Sequence, residues 1–298
     1  MKAKLITILS AVLLAGQAFS QQKMDTQAHR GGMALMPENT VASMLNGVKS
    51  GIKTLEMDVV ISSDGKVVVS HDLYMSADFM RKPDGTDIDK ADEKNLALYH
   101  MTYDSIRTYD AGSKPHPRFP AQAKMKTYKP LLSDLVDSVE TYVKKNRLKP
   151  VYYSIEIKSS PTGDGTFHPA IDVFVAKVLD VLAKTKIGKR LIIQSFDVRA
   201  LQEVHKSDPK IKLSYLVGKV SLDEDLAKLG FTPAIYSPYY TFVTRELVDK
   251  THKQNMLIVP WTVDDDKSIA VMGEMGADGI ISNYPDKLVK QYGSYQSR

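Results

Sequence analysis

The chain contains no cysteine. That absence excludes disulfides, zinc–thiolate centres and a lipid anchor built on cysteine. There is a single tryptophan, Trp261. Beyond the first twenty residues no apolar run is long enough to span a bilayer. No glycine-rich phosphate loop follows the first strand-like segment, which weighs against a doubly wound nucleotide-binding sheet. No basic run with interleaved aromatics occurs, so nucleic acid is not an expected partner. Internal repeats and low-complexity tracts are also missing.

What is present begins with an export signal. Lys2 and Lys4 precede the apolar stretch LITILSAVLLAG, and Ala18-Phe19-Ser20 ends on a small residue. We expect cleavage after Ser20, leaving a periplasmic or secreted protein with no membrane anchor. An uncleaved N-terminal anchor is the alternative. The formal charge is +5, and +3 without Lys2 and Lys4. Such a mild, dispersed charge is compatible with a small anionic substrate.

From residue 26 onward, β-branched apolar runs alternate with amphipathic helical runs. Strands are predicted over 26–30, 54–61, 151–157, 191–196, 212–217, 234–237, 257–262 and 279–282. Helices are predicted over 40–49, 133–145, 170–184, 198–205, 222–229, 245–254 and 267–275, with a last one starting near Pro285. Eight strands separated by helices predict an α/β fold of the (β/α)8 TIM-barrel type. An open doubly wound sheet is the alternative. Residues 73–130 break the rhythm. They are rich in Lys, Asp, Pro and Tyr, and too long for an ordinary βα loop. We expect them to form an insertion subdomain after strand 2, on the C-terminal face of the barrel. It would be a lid or substrate selector there, or else a plain surface excursion.

Chemistry concentrates between His29 and Asp72. Glu56 and Asp58 sit in the run LEMDVVI. A strand repeats every two residues, so both carboxylates point the same way. At roughly 4 Å and an effective dielectric of about 20, their repulsion is about 4 kcal/mol. A hard divalent cation is the simplest group to offset it. His29 and Arg30 end the first strand, and His71 and Asp72 follow an extension of the second. Glu156 and Lys158 lie on and just after the third, Gln194 on the fourth and Trp261 near the end of the seventh. Barrel enzymes collect their catalytic groups at these C-terminal strand ends.

The chain resembles the glycerophosphodiester phosphodiesterases. The resemblance rests on His29-Arg30-Gly31, Pro37-Glu38-Asn39-Thr40, Glu56-x-Asp58, Asp64-Gly65, His71-Asp72 and Glu156-x-Lys158. Weaker matches are Ser195-Phe196, Trp261-Thr262-Val263 and the run from Gly276 to Ile281. It spans His29 to about Pro285, and residues 73–130 stand where this family carries an insertion. It implies metal-dependent hydrolysis of a glycerophosphodiester to glycerol 3-phosphate and an alcohol. It further implies that Glu56, Asp58 and Glu156 hold one divalent cation, Ca2+ or Mg2+, and that His29 and His71 form the catalytic acid–base pair. Which histidine is the acid stays open, as does the nucleophile, water or the glycerol 2-hydroxyl. Arg30 and Lys158 would meet the phosphate. Trp261 would either wall the substrate pocket or simply pack at the barrel mouth, and Tyr236, Tyr239 and Tyr240 fall near the same rim. A lipase-like phosphodiesterase acting on lysophospholipid or sphingolipid is the rival activity. Asn283 stands where an aspartate is more usual, and Tyr152-Tyr153 is aromatic where aliphatic residues are ordinary.

The export reading has a direct check. N-terminal sequencing of the exported protein is expected to begin at Gln21, and recovery of residues 1–20 would overturn the cleavage.

Overall fold

Near-continuous apolar strands are what a sheet covered on both faces requires, and the strands here pair accordingly. The computed structural model describes residues 24–297, so the expected signal at residues 1–20 lies outside the described residues. The strands are β1 (Asp25–Ala28), β2 (Thr54–Ile61), β3 (Val67–Val69), β4 (Tyr152–Ile157), β5 (Leu191–Ser195), β6 (Lys212–Val217), β7 (Ile235–Pro238), β8 (Leu257–Ile258) and β9 (Gly279–Ser282). Eight pair in parallel in the order β8-β7-β6-β5-β4-β2-β1-β9, and β3 folds back antiparallel onto β2. The seam from β9 to β8 has no regular ladder. Three backbone hydrogen bonds bridge it: Asp278 N–H to Ile258 O, Ile281 N–H to Pro260 O and Val263 N–H to Ile281 O, each 3.0 Å. The result is a nearly closed parallel barrel.

Helices α1 (Val41–Ser50), α2 (Tyr103–Ile106), α3 (Leu132–Lys145), α4 (Ile171–Ala183), α5 (Val198–Ser207), α6 (Leu222–Leu229), α7 (Arg245–Lys253), α8 (Asp266–Glu274) and α9 (Pro285–Tyr292) follow. All but α2 connect barrel strands or close the chain. Among the described residues no helix is long and apolar enough to cross a membrane.

Two strand ends differ from expectation. β8 stops at Ile258 rather than at residue 262, because Pro238 of β7 has no N–H to give Val259 O, which accepts the Ser237 hydroxyl instead. Val259 and Trp261 still donate to Tyr236 O and Pro238 O, each at 3.1 Å. β1 stops at Ala28, so His29 and Arg30 lie in a tight turn, not on the strand. Arg30, Gly31 and Gly32 all have positive φ there (51°, 79° and 96°). At Gly31 a Cβ would run into Ser43 of α1, so only glycine allows the turn to seat on that helix. Thr40 caps α1 by accepting the Ser43 N–H at 3.1 Å.

The strand period of two separates two environments. Leu55, Met57 and Val59 of β2 and Tyr153, Ile155 and Ile157 of β4 face outward, into the layer under the helices. Glu56, Asp58, Glu156 and Gln194 therefore face inward, and Asp58 is in register with Glu156, which is in register with Gln194. Ile192, Ile235, Val259 and Ile281 fill the rest of the interior. The same period sends Tyr236 outward. It is fully buried and its hydroxyl donates to Asp225 of α6 at 2.6 Å, so it is not a rim residue.

Residues 73–130 run from β3 to α3. Met75, Phe79, Met80, Leu98 and Ile106 form a second apolar cluster with Val60 and Val68. The segment is tied to the barrel mouth where Gln122 Nε2 donates to Met33 O (2.6 Å) and Ala123 N–H to Leu35 O (2.9 Å).

Tyr153 now has a physical account. Its ring packs in the outer core and its hydroxyl donates to Glu140 at 2.7 Å. Glu140 also takes both Arg190 amino groups, at 2.8 and 2.7 Å. Tyr153→Phe keeps the ring and leaves Glu140 paired, so it is expected to cost about 1 kcal/mol. Tyr153→Ala is expected to cost about 3–5 kcal/mol through the cavity. Urea unfolding checks this, and equal losses in the two variants would contradict the assignment of ring to packing and hydroxyl to anchoring.

Candidate active site

The inward carboxylates of β2 and β4 form the centre. Glu56, Asp58 and Glu156 each present an oxygen within 4.8 Å of the other two, and all three are buried. Glu56 accepts the Arg30 N–H at 2.7 Å and Gln194 Nε2 at 2.9 Å. Asn39, in the left-handed region that Asn tolerates, grips Asp58 twice. Its Nδ2 donates to Asp58 Oδ2 (2.8 Å) and its Oδ1 accepts the Asp58 N–H (3.3 Å). Lys158 Nζ donates to Glu156 Oε1 at 2.7 Å. Asp58 Oδ1 is buried and accepts no hydrogen bond, with Lys158 Nζ 3.8 Å away.

The electrostatics follow from this crowding. Burial, and then the charge of Asp58, push the Glu56 carboxyl well above the usual range. Burial also pushes Glu156 up, against the pull of Lys158. Burial acts upward on Asp58 too, but His71, Lys158 and Arg30 together hold it below the usual carboxylate range. Three converging hard oxygen donors, one with an orphaned buried lone pair, fit a divalent cation such as calcium or magnesium.

Two histidines flank the carboxylates, and they are held differently. His29 Nδ1 lies 2.6 Å from Asn283 Oδ1. Asn283 donates its Nδ2 and its backbone N–H to Asp264, at 2.7 and 2.9 Å. An ionised Asp264 only accepts, so the Asn283 amide must turn its NH2 toward Asp264 and its oxygen toward His29. The proton of neutral His29 therefore sits on Nδ1 and the lone pair on Nε2. Burial, and then Arg30, lower the pKa of His29 to about 3, which keeps it neutral. His71 Nδ1 instead faces Asp72 Oδ1 at 2.9 Å. Burial acts upward on Asp72, but the hydrogen bond from His71 outweighs it with other cations and brings the carboxyl to about 2. Behind this pair, Ser70 Oγ donates to Asp72 O (2.6 Å) and accepts buried Lys129 Nζ (2.8 Å).

A cavity of about 610 Å3 opens over these groups. Arg30 stands at its floor, with Nη1 fixed on both oxygens of Glu38 (3.2 and 3.1 Å) and Nε 3.6 Å from Asp58. One wall is aromatic. Phe196 and Tyr239 pack on Trp261 at ring-centroid distances of 5.1 and 5.3 Å, with Tyr240 alongside. Trp261 Nε1 donates to Ser237 O at 2.9 Å, which fixes the indole. The facing wall carries Arg118, Tyr284 and Lys287.

Every residue given a catalytic, phosphate-binding or metal-binding role in the sequence converges here, and so does Trp261. His29, Arg30, Glu56, His71, Glu156, Lys158 and Trp261 line the cavity, and Asp58 lies against its floor. Tyr239 and Tyr240 do reach the rim. Several contributors escaped the sequence reading in whole or in part, Tyr284 and Lys287 among them. Asp264 is three residues past Trp261, in the same motif. Asn283 was visible only as a departure from an expected aspartate. Arg118 lies in the irregular segment, where no pattern marks it.

The comparisons with known proteins agree with this geometry. The model of the glycerophosphoryl diester phosphodiesterase family matches residues 29–287. The glycerophosphodiester phosphodiesterase of Caldanaerobacter subterraneus is 26% identical over 262 residues, 88% of this chain and 95% of its own length. The enzyme of the same name from Bacillus altitudinis is 27% identical over 265 residues, 88% of this chain and 96% of its own. A crystal structure from Silicibacter pomeroyi superposes with a TM-score of 0.80 at 29% identity, covering 90% of this chain and 92% of that one. A phosphodiesterase from Oleispira antarctica, solved with the product sn-glycerol-3-phosphate, shares the fold at a TM-score of 0.70 and 24% identity, over 90% of this chain and 96% of its own. The chain belongs to the glycerophosphoryl diester phosphodiesterase family and is a hydrolase of glycerophosphodiesters.

Proposed function

We propose that the protein, exported after cleavage at Ser20, hydrolyses a glycerophosphodiester to glycerol 3-phosphate and an alcohol through His29 and His71. Glu56, Asp58 and Glu156 would hold one divalent cation, Ca2+ or Mg2+. The observation that carries the reading is the pair of unlike histidines in one cavity with three converging carboxylates. A divalent cation bound there supplies positive charge against the phosphate oxygens.

The chain's own groups divide the remaining work. Arg30, anchored by Glu38 at Nη1, keeps its other amino group for a phosphate oxygen. Lys158 adds a point charge beside it. His29 is the base: its Nδ1–H is committed to Asn283, it is neutral, and its Nε2 is open to take a proton from the nucleophile. That nucleophile is water, or else the glycerol 2-hydroxyl, which expels the alcohol to leave a cyclic phosphate that water then opens to glycerol 3-phosphate. The same base serves each attack. His71 is the acid: the Asp72 carboxylate holds its Nδ1 at 2.9 Å, the arrangement that orients an imidazole to hand on a proton from Nε2. Its proton goes to the departing alkoxide. The aromatic wall with Trp261 excludes water from one side of the substrate.

Two measurements test the reading. Glu56→Ala, Asp58→Ala and Glu156→Ala are each expected to abolish calorimetric binding of Ca2+ or Mg2+ and, with it, glycerol 3-phosphate release from glycerophosphocholine. Full activity in any of the three would remove that residue from the metal site. His29→Ala and His71→Ala should fold normally by circular dichroism yet turn over at least roughly 100-fold more slowly. A p-nitrophenyl leaving group needs no acid, so it should restore much of the rate to His71→Ala and none to His29→Ala. The opposite pattern would reverse the two roles.

A further inference from the structure

Four cationic side chains line the cavity, and they fall into two classes. Arg30 and Lys158 are matched by carboxylates: Arg30 by Glu38 and Asp58, Lys158 by Glu156 and Asp58. Arg118 and Lys287 make no ion pair at contact distance, although Lys287 from further off adds to the Ser268 hydrogen bonds in lowering the Asp265 carboxyl. Among the described residues the Arg118 guanidinium has no carboxylate within ion-pair distance. The one hydrogen bond of Lys287 Nζ goes to the backbone oxygen of Asp264, at 2.6 Å.

The two unmatched cations occupy one built wall. Arg118 sits over the Phe119 ring (5.2 Å) and Lys287 over the Tyr284 ring (4.1 Å), and those rings pack edge to face at 6.3 Å. Phe119 is buried with Met33 and Ala34, and the nearby Gln122 and Ala123 bonds pin that stretch to the β1 loop. The neighbouring carboxylates are spent on their own loops. Asp264 accepts from Asn283 and Ser282, and Asp265 caps α8 through the Ser268 N–H at 2.8 Å. Lys287 follows the eighth barrel strand, a place where barrels commonly hold phosphate.

A diester bound at the carboxylate floor has two substituents and finds two unlike walls. We propose that Arg118 and Lys287 form an anion-binding rim that selects glycerophosphodiesters whose alcohol carries its own phosphate group. The guanidinium fork suits phosphate oxygens, and an ammonium adds charge without directional demand. This assignment rests on the phosphodiesterase reading above and adds the substrate class to it.

The test compares two diesters that differ by one phosphate: glycerophosphoinositol 4-phosphate and glycerophosphoinositol. It uses the mature protein and the double variant Arg118→Gln/Lys287→Gln. Glutamine at 287 can still donate to Asp264 O, so the loop should hold. The wild type is expected to show kcat/KM about tenfold higher on the phosphorylated diester, mainly through KM. That ratio should fall toward one in the variant, and in the wild type as salt is raised. Hydrolysis of both diesters at a ratio the variant does not change overturns the rim and leaves the phosphodiesterase reading standing. So does a wild-type ratio of one or less. Hydrolysis of neither overturns the phosphodiesterase reading, and the rim with it.

Discussion

Two carboxylates two residues apart on a strand buried on both faces are the constraint from which the rest of this site follows. Glu56 and Asp58 cannot turn away from each other without breaking the period that puts Leu55, Met57 and Val59 into the outer core. Parallel register then brings Glu156 beside Asp58. The barrel must carry three acids in a low-dielectric interior, and everything nearby serves to offset them. Arg30 turns into the left-handed region so that its N–H meets Glu56 while its guanidinium reaches Asp58 and Glu38. Asn39 does the same at the next turn, toward Asp58. Arg30 and Asn39 both take positive φ to make these contacts, a conformation that Arg147 and Asn255 also adopt elsewhere in the chain. Even so, one oxygen of Asp58 stays without a hydrogen bond. A site this heavily compensated and still short of positive charge could hold a cation.

The histidines show how second neighbours divide labour between like groups. Both stand at the mouth of the same cavity, and both use Nδ1 for support. An amide behind His29 fixes a tautomer without adding charge, whereas His71 has a carboxylate behind it. Asn283 thus acquires a reason. An ionised aspartate in its place would face Asp264 across a distance now spanned by a 2.7 Å hydrogen bond, and two like charges there would repel. The amide both joins Asp264 and presents an acceptor to His29, which no carboxylate pair could do without a shared proton.

How much of this was legible in the sequence depends on the range of the interaction. Strands whose limits are set by local chemistry read well: β2, β6 and β9 match residue for residue, because period, β-branching and flanking turns agree. The eight chemical residues could be read because motif order places them at strand ends, where barrels keep their sites. What failed was set by distant partners. β1 ends early because Gly31 must lie against Ser43. Tyr236 was misplaced at the rim because a one-residue step on a strand reverses the facing side. Its partner Asp225 sits on α6, where nothing nearby in the chain announces it. Arg118 could not be found at all. Its place depends on Phe119 packing against Met33, some 86 positions earlier in the chain, and irregular segments carry no period from which to infer such a contact.

The weakest seam of the barrel is also where its two walls originate. Pro260 has no N–H to offer toward β9, while Val259 and Trp261 keep their bonds to β7, so the chain past Ile258 is paired on one side only as it reaches the mouth. A regular strand would alternate its side chains strictly in and out. That alternation holds from Val259 to Trp261, which brings Trp261 to the aromatic wall, held by Ser237, and a little further on Asp264 is held against Asn283. One segment thus positions an aromatic wall of the cavity and, through Asn283, the tautomer of His29. Lys287 returns a hydrogen bond to Asp264 O from α9, which ties the cationic wall to the same segment. The seam therefore trades ladder hydrogen bonds for reach. That exchange is tolerable because Ile192, Ile235, Val259 and Ile281 pack beneath it and keep the barrel filled where the pairing lapses.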